Sequence, residues 1–98
     1  MSENAIQLSG MVTERAALRY TPAGTPVLAF RVKHASTQTE DRIPRDVEFE
    51  IDALALGQVA SEMESVRDGQ HIHVRGFLAR RSRLSTHFVL HVNQFELE

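Results

Sequence analysis

Hydrophobic positions along this chain recur mostly with a period of two. From Pro26 to Lys33, Leu28, Phe30 and Val32 alternate with Val27, Ala29, Arg31 and Lys33. This spacing predicts a strand, taken as Pro26 to Ser36, with one apolar face and one face carrying cations. Ahead of it, Thr21-Pro22-Ala23-Gly24-Thr25-Pro26 reads as a turn. Pro22 fixes φ early, and Gly24 accepts the positive φ needed two residues later. A long β-rich run, Ala5 to Tyr20, precedes the turn. Ile6, Leu8 and Val12 carry its strand pattern, Gly10 marks a bulge or bend, and Ala16 and Ala17 weaken it locally.

Beyond Ser36 the pattern lapses. Ala35 to Arg45 shows no period and Pro44 bars a helix, so an exposed loop is predicted. Asp46 to Asp52 alternates again, with Val47, Phe49 and Ile51 inward and Glu48, Glu50 and Asp52 outward. Leu56, Val59, Ala60, Met63 and Val66 fall at helical spacing, which predicts a short helix within Gln58 to Val66. Arg67 to Gln70 is a turn with Gly69 as its left-handed residue. The fourth strand, Gln70 to Arg83, alternates through Ile72 and Val74, and Gly76 is expected to mark a change of hand. After Leu84-Ser85-Thr86 comes the fifth strand, His87 to Leu97. It places Val89, Phe95 and Leu97 on one face and Phe88, Leu90 and Val92 on the other. Apolar residues on both faces suggest contact with a second copy. Phe30, Phe49 and Phe95 are assigned to the core.

Three strands, a helix and two further strands define an all-β class. The expected fold is a five-stranded oligonucleotide-binding (OB) barrel, whose short helix lies between strands 3 and 4. An SH3-like barrel is the nearest competitor and normally lacks a helix at that place. The chain has 98 residues, 42% of them apolar, which suits one domain spanning 1–98 with a real core. No apolar run approaches membrane length, and the N-terminus lacks the basic and apolar regions of a secretory signal. Cysteine is absent, which fits a cytoplasmic protein.

Net charge is −2, but it is segregated. Residues 1–39 carry +2, residues 40–68 carry −6, and residues 69–95 carry +4 with no acid. Local potential rather than the total attracts phosphate, so nucleic acid remains a candidate partner. The candidate binding residues are Arg19, Arg31, Lys33, Arg45, Arg80, Arg81 and Arg83, all in or beside the strands that surround an OB binding face. His34 and His87 flank the basic stretches. Tyr20, Phe49, Phe77 and Phe88 are the aromatics able to stack bases, in a chain without tryptophan. The plain alternative is that Arg80 to Arg83 forms a solvated hairpin tip. His71 with His73, and His87 with His91, could meet across a strand pair, but without cysteine or a neighbouring carboxylate they make a poor metal site. No phosphate loop or nucleophile motif points to catalysis. Glu48, Glu50 and Asp52 read as an acidic ladder that would repel DNA and suit a basic protein partner.

Leu8-Ser9-Gly10, Arg19-Tyr20-Thr21-Pro22-Ala23-Gly24-Thr25-Pro26-Val27, Lys33-His34, Gly76-Phe77 and Val89-Leu90-His91 resemble the primosomal replication protein N (PriB) family. That family is related to the bacterial single-stranded-DNA-binding proteins (SSB). The short chain, without SSB's long linker and acidic-apolar tip, favours the former. The resemblance implies a homodimer of OB folds that binds single-stranded DNA and acts in replication restart with the primosomal helicase and other primosome proteins. It needs no cofactor. It places DNA contacts at Arg19, Arg45, Arg81 and Arg83, with His87 near a family lysine, and the dimer contact at Ala5 to Val12. Glu48 stands where better-known members carry a base-stacking tryptophan, and the loop after Arg83 is shorter and less cationic. Affinity is therefore expected to rest on phosphate contacts. The runner-up is a protein-interaction module in which DNA binding is vestigial.

Overall fold

The computed structural model describes residues 2–98. Its strands are β1 (Ile6–Thr13), β2 (Arg19–Tyr20), β3 (Pro26–Glu40), β4 (Ile43–Leu56), β5 (His71–Arg80) and β6 (Phe88–Leu97). The helix α1 (Gln58–Glu62) runs into a 3-10 turn at Met63–Ser65. β1 closes the barrel: Ile6 to Met11 pairs with β5, and Met11 to Thr13 passes over to β3. The ring runs β1-β5-β6-β4-β3 and back to β1, with the two residues of β2 added to β3. All pairings are antiparallel except β4 with β6, which run parallel where Asp52 to Ala55 meets Val89 to Val92. This is the OB topology predicted from the order of elements.

The inward faces follow the alternation. Leu28, Phe30 and Val32 of β3, Ala53 and Ala55 of β4, Ile72 and Val74 of β5, and Leu90 and Val92 of β6 form one core cluster. The helical segment adds Ala60, Met63 and Val66, at the spacing that buries one side of a helix. The turn before β3 forms as read. Gly24 donates to the Thr21 carbonyl at 2.8 Å and adopts φ 87°.

Several expectations are corrected. The stretch 35–45 is not a loop. β3 and β4 pair continuously from Val27 with Leu56 out to Glu40 with Ile43, leaving only Asp41 and Arg42 as the turn. Both turn residues have positive φ, 50° and 65°, as a type I′ hairpin requires. Pro44 fits because it stands opposite Thr39, one step past the pair closing the turn, where a backbone N–H would face away from β3. Past its junction with β1, this hairpin is a two-stranded arm; it stretches the molecule to 50 Å against 22 Å across. Phe49 lies on the arm rather than in the core and is 40% exposed. β1 stops at Thr13 and β5 at Arg80, so Arg81 and Arg83 belong to the connection. Gly10 keeps regular register opposite Ile72 rather than forming a bulge.

The change of hand falls on β6 rather than at Gly76. Arg75 pairs with Gln94 and Gly76 with Val92, which leaves Asn93 as the extra residue. Residues directly opposite share a face. Leu90, Val92 and Phe95 therefore all lie with the core-facing Leu78, Gly76 and Val74. The apolar residues seen on both faces of the last strand are largely one face, switched in parity by this bulge, so they supply no argument for a second copy.

Asp41 and Arg42 hold the left-handed region without glycine, which costs roughly 1–2 kcal/mol per residue in an L-residue. Asp41→Asn with Arg42→Gly is expected to raise stability by about 0.5–1 kcal/mol. Chemical denaturation would check this; a lower midpoint would mean that the native Asp41 and Arg42 side chains stabilise the tip.

Candidate nucleic-acid interface

Ala29, Arg31 and Lys33 point away from the core, on the opposite side of β3 from Leu28, Phe30 and Val32. The hairpin register sets Leu54, Asp52 and Glu50 directly opposite them on β4. Cross-strand neighbours share a face, so the cationic row and the acidic ladder occupy one surface. The sequence reading had set them against each other as rival sites.

This surface forms an open cleft of about 540 Å³ where β3, β4 and the start of the β5–β6 connection converge. Arg19, Arg31, Arg80 and Arg81 line it, together with Glu14, Asp52 and His91. Arg31 is held by three acids: Glu14 at 3.1 Å, Glu50 at 3.5 Å and Asp52 at 3.1 Å. Its Nε lies within ion-pair distance of Asp52 without the alignment of a hydrogen bond. The hydrogen bond to Glu14, with the charges of Glu50 and Asp52, raises the Arg31 guanidinium above its ordinary value. Arg81 bonds the other oxygen of Asp52 through Nη2. By contrast Arg19, Lys33, Arg80 and Arg83 form no ion pair among the described residues.

Two aromatic rings complete the surface. Phe77 stacks on His91 with centroids 4.9 Å apart and planes 4° from parallel. Phe77 is 37% exposed, so part of the pair faces solvent. His91 was missing from the predicted set; its placement depends on the pairing of β5 with β6, which spacing along the chain does not reveal. Tyr20 is exposed at the end of β2, opposite Pro26. The connection between β5 and β6 is tied by the Arg81 N–H donating to the His87 carbonyl at 2.9 Å. It carries Arg83 and the fully exposed Leu84.

Other predicted residues lie elsewhere. His34 projects to the face opposite Arg31 and Lys33. Its Nδ1 is 2.7 Å from the Ser9 carbonyl and its Nε2 is 2.8 Å from the Ser36 hydroxyl. A carbonyl only accepts, so in the neutral ring the proton sits on Nδ1. His34 also packs against Phe49, with ring centroids 5.0 Å apart. Arg45 is on the arm, about 23 Å along β4 from Asp52 at roughly 3.3 Å per residue, and pairs with Glu40 at 2.7 Å. Glu48 is exposed on the arm opposite Ala35. The histidine pairs do not meet: His71 faces Met11, whereas His91 faces Phe77, about 20 Å farther along β5 at the same rise.

Known proteins share this architecture. The small single-stranded DNA-binding protein of Streptomyces coelicolor superposes with a TM-score of 0.77 at 20% identity, covering 100% of this chain and 96% of its own. Residues 4–94 match the model of a family described as another single-strand binding protein family. Fold and family match thus define the class, an OB barrel of the single-strand-binding type. Replication restart protein PriB of Nitrosomonas europaea is 38% identical over 94% of this chain and 85% of its own, and that of Neisseria meningitidis serogroup B is 39% identical over 95% and 92%. The PriB structure from Ralstonia solanacearum superposes with a TM-score of 0.89 at 33% identity over 99% of both chains. The chain belongs to the replication restart protein PriB family, within the single-strand-binding proteins.

Proposed function

We propose that this protein binds single-stranded DNA in the cleft bounded by β3, β4 and the β5–β6 connection, as an accessory protein of replication restart. The observation that carries the reading is the convergence of Arg19, Arg31, Arg80 and Arg81 from three separate parts of the chain onto one cleft. Arginine holds phosphate by charge and by paired hydrogen bonds. In this reading the connection adds the cation of Arg83, and the Phe77–His91 stack, whose His91 lines the cleft, receives a base. Arg45 and His34 are left out of this contact set by their positions on the arm.

The working form in this reading is a homodimer that brings the primosomal helicase to single-stranded DNA in the cytoplasm. Between Ile6 and Gly10, β1 pairs with β5 on one side only. Its other edge supports joining of two copies there. The acidic ladder gives less support to a separate protein-docking face, because Glu50 and Asp52 are engaged by Arg31 and Arg81.

The test is fluorescence anisotropy of a labelled oligo-dT strand titrated with protein across a range of salt. Three arginines unpaired among the described residues, Arg19, Arg80 and Arg83, predict a log-affinity against log-salt slope of about −2, at roughly 0.7 per phosphate contact in single strands. Absence of binding even at low salt would overturn this function and shift attention to protein partners.

A further inference from the structure

We infer that Asp52 acts as a built-in brake on strand binding, holding Arg81, and in part Arg31, away from phosphate. The inference rests on the single-strand-binding reading and adds to it a residue that sets affinity. One carboxylate spans two arginines from distant parts of the chain: Oδ2 meets Arg81 Nη2, and Oδ1 lies 3.1 Å from Arg31 Nε. Asp52 is part of the lining of the same cleft as both arginines. A phosphate approaching Arg81 must therefore displace this carboxylate or lie beside it, and like charges at contact oppose the approach.

The two arginines are not equally affected. Asp52 is the only ion-pair partner of Arg81 among the described residues, whereas Arg31 keeps Glu14 and Glu50. Removing the carboxylate thus frees one cation completely and loosens a second. The cleft holds two kinds of arginine: Arg19 and Arg80 are open to the first phosphates, while Arg81 and Arg31 are available only when Asp52 yields. Such an arrangement keeps affinity low and lets a strand leave.

The experiment is the same anisotropy titration applied to the full chain and to Asp52→Asn. Asp52 has 37% of its side chain exposed and the amide is isosteric, so a melting temperature close to that of the unmodified protein is expected. Asp52→Asn should tighten oligo-dT binding about fivefold at 0.1 M salt and steepen the slope by about 0.7, the signature of one added phosphate contact. Adding Arg81→Ala to Asp52→Asn should abolish most of that gain. Glu62→Gln on α1 removes the same unit of charge outside the cleft and should leave affinity nearly unchanged. If the unmodified protein binds but Asp52→Asn binds no better, the brake is wrong and the DNA reading stands. Equal gains from Asp52→Asn and Glu62→Gln would reduce the effect to net charge and also overturn it. No binding by any of these proteins would overturn the DNA reading and the brake together.

Discussion

Gly76→Ala should lower the melting temperature by about 15 °C or more. A methyl group at this position would lie 1.7 Å from the His91 carbonyl oxygen, 2.8 Å from its carbon and 3.1 Å from the Val92 Cα. All three neighbours are backbone, so no side chain can swing aside. The strands themselves must part, next to the bulge at Asn93 where β6 changes parity. Overpacking relieved by side-chain motion costs typically 1–3 kcal/mol. Opening a ladder inside a closed barrel should exceed that, and each kcal/mol moves the midpoint of a domain this size by roughly 4–8 °C. Thermal unfolding followed by circular dichroism gives the answer directly. A shift of only a few degrees would mean that β5 and β6 separate here at little cost.

Replacing Arg80, Arg81 and Arg83 together by alanine should weaken oligo-dT binding by about 25-fold at 0.1 M salt. Loss of the two open contacts, Arg80 and Arg83, at roughly 0.7 each accounts for that factor, and the salt slope should flatten by about 1.4. The brake at Asp52 keeps Arg81 out of this count, since Arg81 enters the contact only by leaving its carboxylate. Stability should hardly move, because all three side chains are exposed and only Arg81 is ion-paired among the described residues. A large fall in melting temperature with an unchanged slope would identify these arginines as structural. The discrimination needs both measurements on the same preparation.

The barrel was legible because its core strands alternate cleanly. Leu28, Phe30 and Val32, and likewise Ile72 and Val74, announce their faces without any knowledge of partners. The helix declared itself through Ala60, Met63 and Val66. What escaped was register. Asp41-Arg42 lacks the asparagine and glycine that usually mark a type I′ turn, so the arm passed for a loop. Had that turn been recognised, counting outward from it would have set Asp52 opposite Arg31 and Glu50 opposite Lys33. The basic and acidic rows would then have been one surface from the start. His91 stayed hidden for a related reason: its stacking on Phe77 follows from a pairing of two strands that alternation alone cannot align. The bulge at Asn93 misled in the other direction, by making one apolar face look like two.

The way β1 closes the barrel bears on how the chain reaches this state. Ile6 ends up beside Gly76, and β4 beside β6, so much of the ladder joins segments far apart in sequence. The β3–β4 hairpin is assembled from near neighbours, as are β5–β6 and the short β2–β3 pair, and hairpins of that kind form in about 1–10 μs. Non-local β closure is far slower, on the order of milliseconds to seconds. During that interval the hairpins stand as templates with open edges, and the nascent barrel is most exposed to pairing with the wrong chain. A protein that gathers its arginines by folding distant segments together accepts slow maturation as part of the same design.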